Sequence, residues 1–345
     1  MYLLSLADSV RLRREYFGGI AFDTSTGTTV DVDKAAFNML SIISINSAVS
    51  QEDLIKILRS TGLVSGKNSK AATKVIKRFL ELGILRIKPH AVDGNDYSQT
   101  FGNDERLLKI PEFTKGWRFG NYLSAPETVH WAITFRCASN CPDCYAKRHL
   151  ELFSCEMDTR DALRAVDTIS EWGVFQLAIG GGEPLLRSDL KDITARASQN
   201  GLAVHITTGY DNLDLAIFQK LSGNIKCLQI GVKHDRLMAQ PQAETAMLKR
   251  IVETSTGAGI QTGANLILSK SSIKNFEPLL DSLVRAGITR ITLLRYKPPK
   301  DILRWKQENP SVEMMAEFET KLSSNKSSVF GRALLQIIAR HHMSF

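Results

Sequence analysis

The sequence predicts an α/β fold: a partial (β/α)6 TIM-type barrel preceded by a small α+β winged helix-turn-helix domain. Two observations carry this. From Val129 onward, β-prone apolar runs alternate with helical periods six times, the pattern of a parallel sheet with helices outside it. Ahead of that, residues 1–88 hold a hairpin pattern, three amphipathic helices and a closing strand.

Taken in order, "YFGGIAFDTSTGTTVDV" places β-prone residues on both sides of a turn at Thr24–Gly27, which reads as a hairpin. A helix follows from Asp33, with Ala36, Phe37, Leu40 and Ile43 on one face. Ser50 is a good N-cap for a second helix carrying Leu54, Ile57 and Leu58, with Asp53 three residues on. A third starts after Ser69 and spaces Ala72, Val75, Ile76, Phe79 and Leu80 helically; Gly83 stops it before "ILRIKP", a short strand. Residues 89–125 are rich in Pro, Gly, Asn and Asp and read as a linker. In the barrel, 126–310, strands are expected near 129–135, 174–180, 202–207, 227–232, 260–267 and 288–294. Helices lie between them, such as the one presenting Ala162, Leu163, Val166 and Ile169. Residues 311–345 are expected to form a helical tail.

An apolar fraction of 43% and a charged fraction of 23% over 345 residues are those of an ordinary globular protein with a sizeable core. No apolar run approaches the roughly 20 residues that span a bilayer. The start, "MYLLSLADSVRLRREYF", has its charges after its apolar patch, the wrong order for a secretory signal. A cytoplasmic protein without membrane association is expected. The net charge of +8 points to an acidic partner: nucleic acid, an acidic peptide or an anionic protein.

Five cysteines are an odd number, and "TFRCASNCPDCY" crowds three of them into one stretch. Metal ligation in a reducing compartment explains this better than disulfides. Cys137, Cys141 and Cys144 follow the first barrel strand with spacing CxxxCxxC, on the face where such barrels carry function. Thiolates suit iron–sulfur clusters and zinc. A 4Fe–4S cluster takes four protein ligands and this loop supplies three, which leaves one iron for something else. Zinc is the alternative, with Cys155 or His149 as the local fourth ligand. The second strand ends in Gly180, Gly181, Gly182, Glu183 and Pro184. Glycines there let backbone approach a ligand that a Cβ would block, and the glutamate can accept from an ammonium group. Cys227, in an apolar strand, reads as an inert core thiol, as does Cys155, and His341 and His342 as solvated.

With the triplet after strand one and GGEP after strand two, residues from about 129 to 295 resemble the radical S-adenosylmethionine superfamily. The resemblance implies that Cys137, Cys141 and Cys144 bind a 4Fe–4S cluster whose free iron chelates S-adenosyl-L-methionine. It implies that Gly181, Gly182 and Glu183 contact that cofactor. Reductive cleavage would yield a 5′-deoxyadenosyl radical, the electron coming from a flavodoxin or ferredoxin type donor. Many members have an aromatic residue before the last cysteine, where this chain has Asp143. "HITTGY" resembles a Thr-Thr-Asn-Gly segment with Gly209 in place of Asn, and "IGVKHDRL" lacks the Ser or Thr often found there. Asn265 and Arg295 stand where they either face the adenosine or are satisfied polar residues of a barrel rim. No residue is identified as a catalytic acid, base or radical quencher.

"REYFGGIAFDTSTGTTVDVDKAAFNML" resembles the leader-peptide recognition domains (PqqD-like) of radical enzymes that modify ribosomally made peptides. This implies a precursor peptide bound as an added strand at a sheet edge. The chemistry would be a crosslink, an epimerisation or a cleavage. The competing reading is a DNA-binding winged helix, through Lys70, Lys74, Lys77 and Arg78; peptide is the favoured partner and nucleic acid is not expected. Many such relatives carry a Cys-rich C-terminal (SPASM) extension, and no cysteine follows Cys227. The expectation is a single-cluster or truncated enzyme, the alternative a catalytically impaired relative that binds a peptide for a partner.

Overall fold

The chain's computed structural model describes residues 2–61, 69–89, 107–108, 122–139, 141–146, 156–211, 213–299, 301–324 and 334–337. It divides into two compact units. The first is Met1–Val129 with Asp167–Gln176 and Gly201–Ala203, and the second takes in the rest.

In the first unit, β1 (Tyr2–Leu6), β2 (Val10–Glu15), β3 (Gly18–Asp23) and β4 (Thr28–Asp33) precede helix α1 (Lys34–Ile45). Then come β5 (Val49–Ser50), α2 (Gln51–Ser60), α3 (Ser69–Glu81), β6 (Leu85–Pro89) and β7 (Leu107–Leu108). The hairpin is β3–β4, antiparallel with Asp23 opposite Thr28. Asp33 caps α1 by accepting from the Ala36 amide at 2.8 Å, and Ser50 caps α2 by accepting from the Asp53 amide at 3.0 Å, each satisfying an amide the helix cannot. In α3, Ala72, Ile76 and Phe79 are buried with Leu40, Ile43, Leu54 and Leu58, while Lys70, Lys74, Lys77 and Arg78 are exposed.

Two strands of this unit go beyond the sequence expectation. β1 is the middle strand of the sheet β5-β1-β6, and β2 is interior to β4-β3-β2-β7. Leu4, Leu6, Val10 and Leu12 are fully buried, so the alternation that makes them strands lies in the stretch otherwise notable for being no signal sequence. Arg13 is also wholly buried. Its Nε donates to Glu15 Oε1 at 2.7 Å and its Nη1 to the carbonyls of Pro126 and Gly173 at 3.0 and 2.9 Å. Part of the expected linker is regular as well: Leu107 sits beside Leu12 in parallel register.

The second unit is built on one seven-stranded sheet in strict chain order: β8 (Thr128–Thr134), β9 (Gln176–Gly181), β10 (Ala203–Thr208), β11 (Cys227–Gly231), β12 (Gln261–Leu268), β13 (Arg290–Arg295) and β14 (Leu334–Ile337). From β10 to β14 every pairing is parallel. This is the partial TIM-type barrel, its six expected strands displaced by at most two residues at either end. The tail differs from expectation. It holds a helix, Val312–Ser324, and then β14 alongside β13. "ALLQIIA" is a short run, apolar but for Gln336, which periodicity cannot assign to helix or strand. Along the strands Leu177, Ile179, Val204, Ile206, Leu228, Ile230, Leu266 and Leu268 are buried. The alternate positions include half-buried polar residues, among them His205, Gln229 and Asn265. No described helix is long and apolar enough to cross a membrane.

His205 gives this unit an acid limb. Burial, then Arg290 and His130, push its pKa down to about 4 from 6.5. The folded state therefore refuses a proton that the unfolded state accepts, so stability is lost as pH falls from 6.5 toward 4. At about 1.4 kcal/mol per unit this is about 3 kcal/mol. Denaturant midpoints measured across that window should fall steeply for the wild type and more gently for His205→Asn; parallel curves would contradict this.

Candidate functional site

The loop after β8 carries the three cysteines, each half-buried. Its geometry begins with Thr134, whose hydroxyl accepts from the Arg136 amide at 3.0 Å. Arg136 makes a two-pronged pair with Glu156, Nε to Oε1 at 2.8 Å and Nη2 to Oε2 at 3.0 Å, and Thr134 also bonds Glu156. A turn closes where the Cys144 amide donates to the Cys141 carbonyl at 3.3 Å. Burial raises the Cys141 thiol pKa, with the Lys233 cation pulling the other way. A metal ion taking that proton's place on sulfur, the proton leaving to solvent, would answer the burial cost, since thiolate is the ligating form.

The end of β9 is fastened directly to this loop. The Gly182 amide donates to the Thr134 carbonyl at 2.7 Å and the Glu183 amide to the Arg136 carbonyl at 2.8 Å. The approach is so close that only glycine fits. A Cβ on Gly181 would stand 2.3 Å from the Thr134 oxygen, and one on Gly182 2.3 Å from the Arg136 oxygen. Gly181 also has φ +108°, a conformation L side chains rarely adopt. Gly180 is different: a Cβ there would meet nothing within 4 Å. The Glu183 carboxylate is buried and ties β9 to the end of β10. Oε2 accepts from the Thr208 hydroxyl at 3.0 Å and the Gly209 amide at 2.9 Å, and Oε1 from the Leu185 amide at 3.2 Å. Burial raises its pKa and these hydrogen bonds oppose the rise.

Two polar networks hold the cysteine loop from its non-cysteine positions, and neither was read from the sequence. Ser139 donates to Asp211 Oδ2 at 2.6 Å. Asp211 also pairs with Lys233 and, at 2.8 Å, with Arg236. Arg236 continues to Glu244 at 2.7 Å, which accepts from the buried Tyr210 hydroxyl at 3.1 Å. On the other side, Asp143 Oδ1 accepts from the Tyr296 hydroxyl at 2.5 Å and Arg304 Nε at 2.8 Å. These partners hold the Asp143 carboxyl below the usual range against its burial. Asp143, His234 and Asp235 bring potential ligand atoms within 4.8 Å of one another. The Arg304 guanidinium already bridges both carboxylates, reaching Asp235 at 2.6 Å, and offsets one of their two charges. The available signal was a charged residue two to five places beyond a strand end: Asp211, Lys233 and Arg236.

The expected residues are thus partly gathered. Cys137, Cys141 and Cys144 lie on the loop that Gly182 and Glu183 clasp. Asn265 is half-buried in β12, in register with Gly231 and Thr292, and its carbonyl accepts from the Val232 amide at 2.9 Å. Arg295 is exposed at the end of β13. Burial pushes Cys227 up to about 11, which makes it an unreactive core thiol. Cys155, His149, His341 and His342 lie outside the described residues, as does most of the linker.

Residues 131–283 match the Radical SAM superfamily model. A PqqA peptide cyclase from Granulibacter bethesdensis is 27% identical over 173 residues, 46% of this chain and 44% of that one. An Fe-coproporphyrin III synthase from Methanosarcina barkeri is 26% identical over 219 residues, 61% of this chain and 52% of that one. The chain spans about half the length of these curated relatives. Among solved structures, Streptococcus suis SuiB bound to its precursor peptide SuiA is similar with TM-score 0.61 at 16% identity, covering 97% of this chain and 72% of that one. That similarity establishes a shared fold.

Proposed function

We propose that this chain, whose residues 131–283 form a radical SAM domain, uses a site-differentiated 4Fe–4S cluster and S-adenosyl-L-methionine to modify a ribosomally made precursor peptide. The observation that carries the reading is the clasp of Gly182 and Glu183 on the carbonyls of Thr134 and Arg136, which joins the two motifs into one site. The donor set fits: three half-buried thiols on one loop are one short of the four that complete a cubane. When bound, the cluster and S-adenosyl-L-methionine would supply radical chemistry that removes a hydrogen from the substrate.

The chain's own residues do the rest. Cys137, Cys141 and Cys144 hold the iron. Ser139 and Asp143 anchor the loop between them through Asp211 and through Tyr296 with Arg304. Glu183 Oε1 keeps lone-pair capacity to accept from the ammonium of the cofactor's methionyl group. Gly181 and Gly182 would present backbone to it, and Asn265 and Arg295 would contact the adenosine in this reading. A flavodoxin or ferredoxin type protein is the electron donor in this reading.

The peptide partner rests on the front domain and on the likeness to peptide-modifying relatives. β4 is the outer strand of β4-β3-β2-β7 among the described residues, while β7 lies on the other edge. A leader peptide would add to β4 through main-chain hydrogen bonds. With net charge +8, an acidic leader is favoured, and its affinity for the full chain should weaken with salt. Co-expression with a short peptide encoded beside the gene, followed by mass spectrometry, tests the function. Loss of two hydrogens marks a crosslink, and unchanged mass with deuterium gained in heavy water marks epimerisation. A peptide bound yet unmodified under reducing, anaerobic conditions would give the chain a carrier role instead. Binding of duplex DNA in place of any peptide would overturn the assignment of the front domain.

A further inference from the structure

We infer that Asp143 and Arg304 form a fixed ion pair at the rim of the cysteine loop that sets the reduction potential of the cluster. The carboxylate opposes uptake of the single electron and the guanidinium favours it. The inference rests on the cluster assignment above.

Asp143 is the residue before Cys144 and two after Cys141, so its charge is carried by the ligating loop itself. Its side chain is 13% exposed and that of Arg304 29%, so solvent screens the pair less than it would a surface pair. The pair is also held in place. Tyr296 donates to the same carboxylate oxygen as Arg304, and the Trp305 indole donates to the Tyr296 carbonyl at 3.1 Å. Arg304 stands in the first turn of the helix Ile302–Glu308, whose N-cap Asp301 accepts from the Arg304 amide at 3.0 Å. Further along, the Gln307 carbonyl accepts from Lys270 at 2.8 Å, and Glu308 accepts from the Ser271 amide at 3.1 Å. The helix is tied to the start of the short helix Lys270–Lys274 that follows β12 as well as to the cysteine loop. Such anchoring makes the two charges permanent features of the site, and cluster potentials respond to nearby net charge, hydrogen bonding and exposure.

A charge device and a mechanical brace differ in sign. Removing the negative partner should make the cluster easier to reduce; removing the positive partner should make it harder. The experiment is a redox titration of the anaerobically reconstituted full chain, followed by electron paramagnetic resonance at fixed pH. The samples are wild type, Asp143→Asn, Arg304→Gln and Arg304→Lys. Asp143→Asn keeps an oxygen for Tyr296 and is expected to shift the midpoint positive. Arg304→Gln is expected to shift it negative, and Arg304→Lys to restore it toward wild type. Shifts of the same sign, no shift, or loss of the cluster from either charge-removing variant would overturn the inference while leaving the cluster assignment standing. A wild type that takes up no iron would overturn both.

Discussion

Glu15→Ala should cost about 3–5 kcal/mol of stability, the penalty of leaving a buried charge without its partner. Glu15 is the counter-ion of the wholly buried Arg13. It also accepts from the Ser124 amide at 2.7 Å and the Ser124 hydroxyl at 3.0 Å. Arg13 would keep its bonds to the Pro126 and Gly173 carbonyls, but carbonyl dipoles replace a carboxylate poorly around a guanidinium stacked on the Phe175 ring at 4.6 Å. Glu15→Gln, which retains an acceptor but no charge, should fall between wild type and alanine. Denaturant unfolding of the full chain reads the order directly. A Glu15→Ala protein within about 0.5 kcal/mol of wild type, the usual range for surface substitutions, would show that the pair is not the support it is argued to be.

The second large effect separates three consecutive glycines. Gly182→Ala drives a methyl to 2.3 Å from the Arg136 oxygen and 2.8 Å from the Phe135 carbonyl carbon. Backbone cannot yield as a flexible side chain does, so the strand end must part from the cysteine loop. Overpacking of this kind costs about 1–3 kcal/mol. Gly181→Ala meets the Thr134 oxygen at 2.3 Å and adds the strain of φ +108°, about another 1–3 kcal/mol. Gly180→Ala meets nothing and should leave stability unchanged. Thermal unfolding should rank the variants in that way, and iron retention after reconstitution should fall for 181 and 182. If Gly180→Ala keeps its iron yet loses S-adenosyl-L-methionine affinity, the open glycine is the one that faces the cofactor. Equal stability for all three would refute the clasp.

The barrel was legible because its strands from β8 to β12 are each followed by a helix with its own apolar residues. Val204, Ile206, Leu228 and Ile230 announce their strands by alternation alone. β1 and β2 were equally periodic, in Leu4, Leu6, Val10 and Leu12, but a buried Arg13 in the run looks like a surface residue until its partners at 126 and 173 are known. β14 was hidden by an apolar run without period. At the site, the cysteines and glycines were readable as motifs because spacing in the chain determines their chemistry. The networks through Asp211, Lys233, Tyr296 and Arg304 were not, because each is tied to the cysteine loop by a residue 72 or more positions away, and a single sequence carries no trace of such pairing. The reason for glycine at 181 and 182 was also only partly legible. Close approach was expected, and the partner on the Cβ side is the chain's own backbone.

The most direct measurement is anaerobic reconstitution of the full chain with iron and sulfide, followed by strong reductant and S-adenosyl-L-methionine. About four irons per chain are expected, the content of one cubane, together with 5′-deoxyadenosine formed only when reductant is present. Both should vanish when Cys137, Cys141 and Cys144 are replaced by alanine. Zinc in place of iron, or an iron site that survives the triple substitution, would contradict the account.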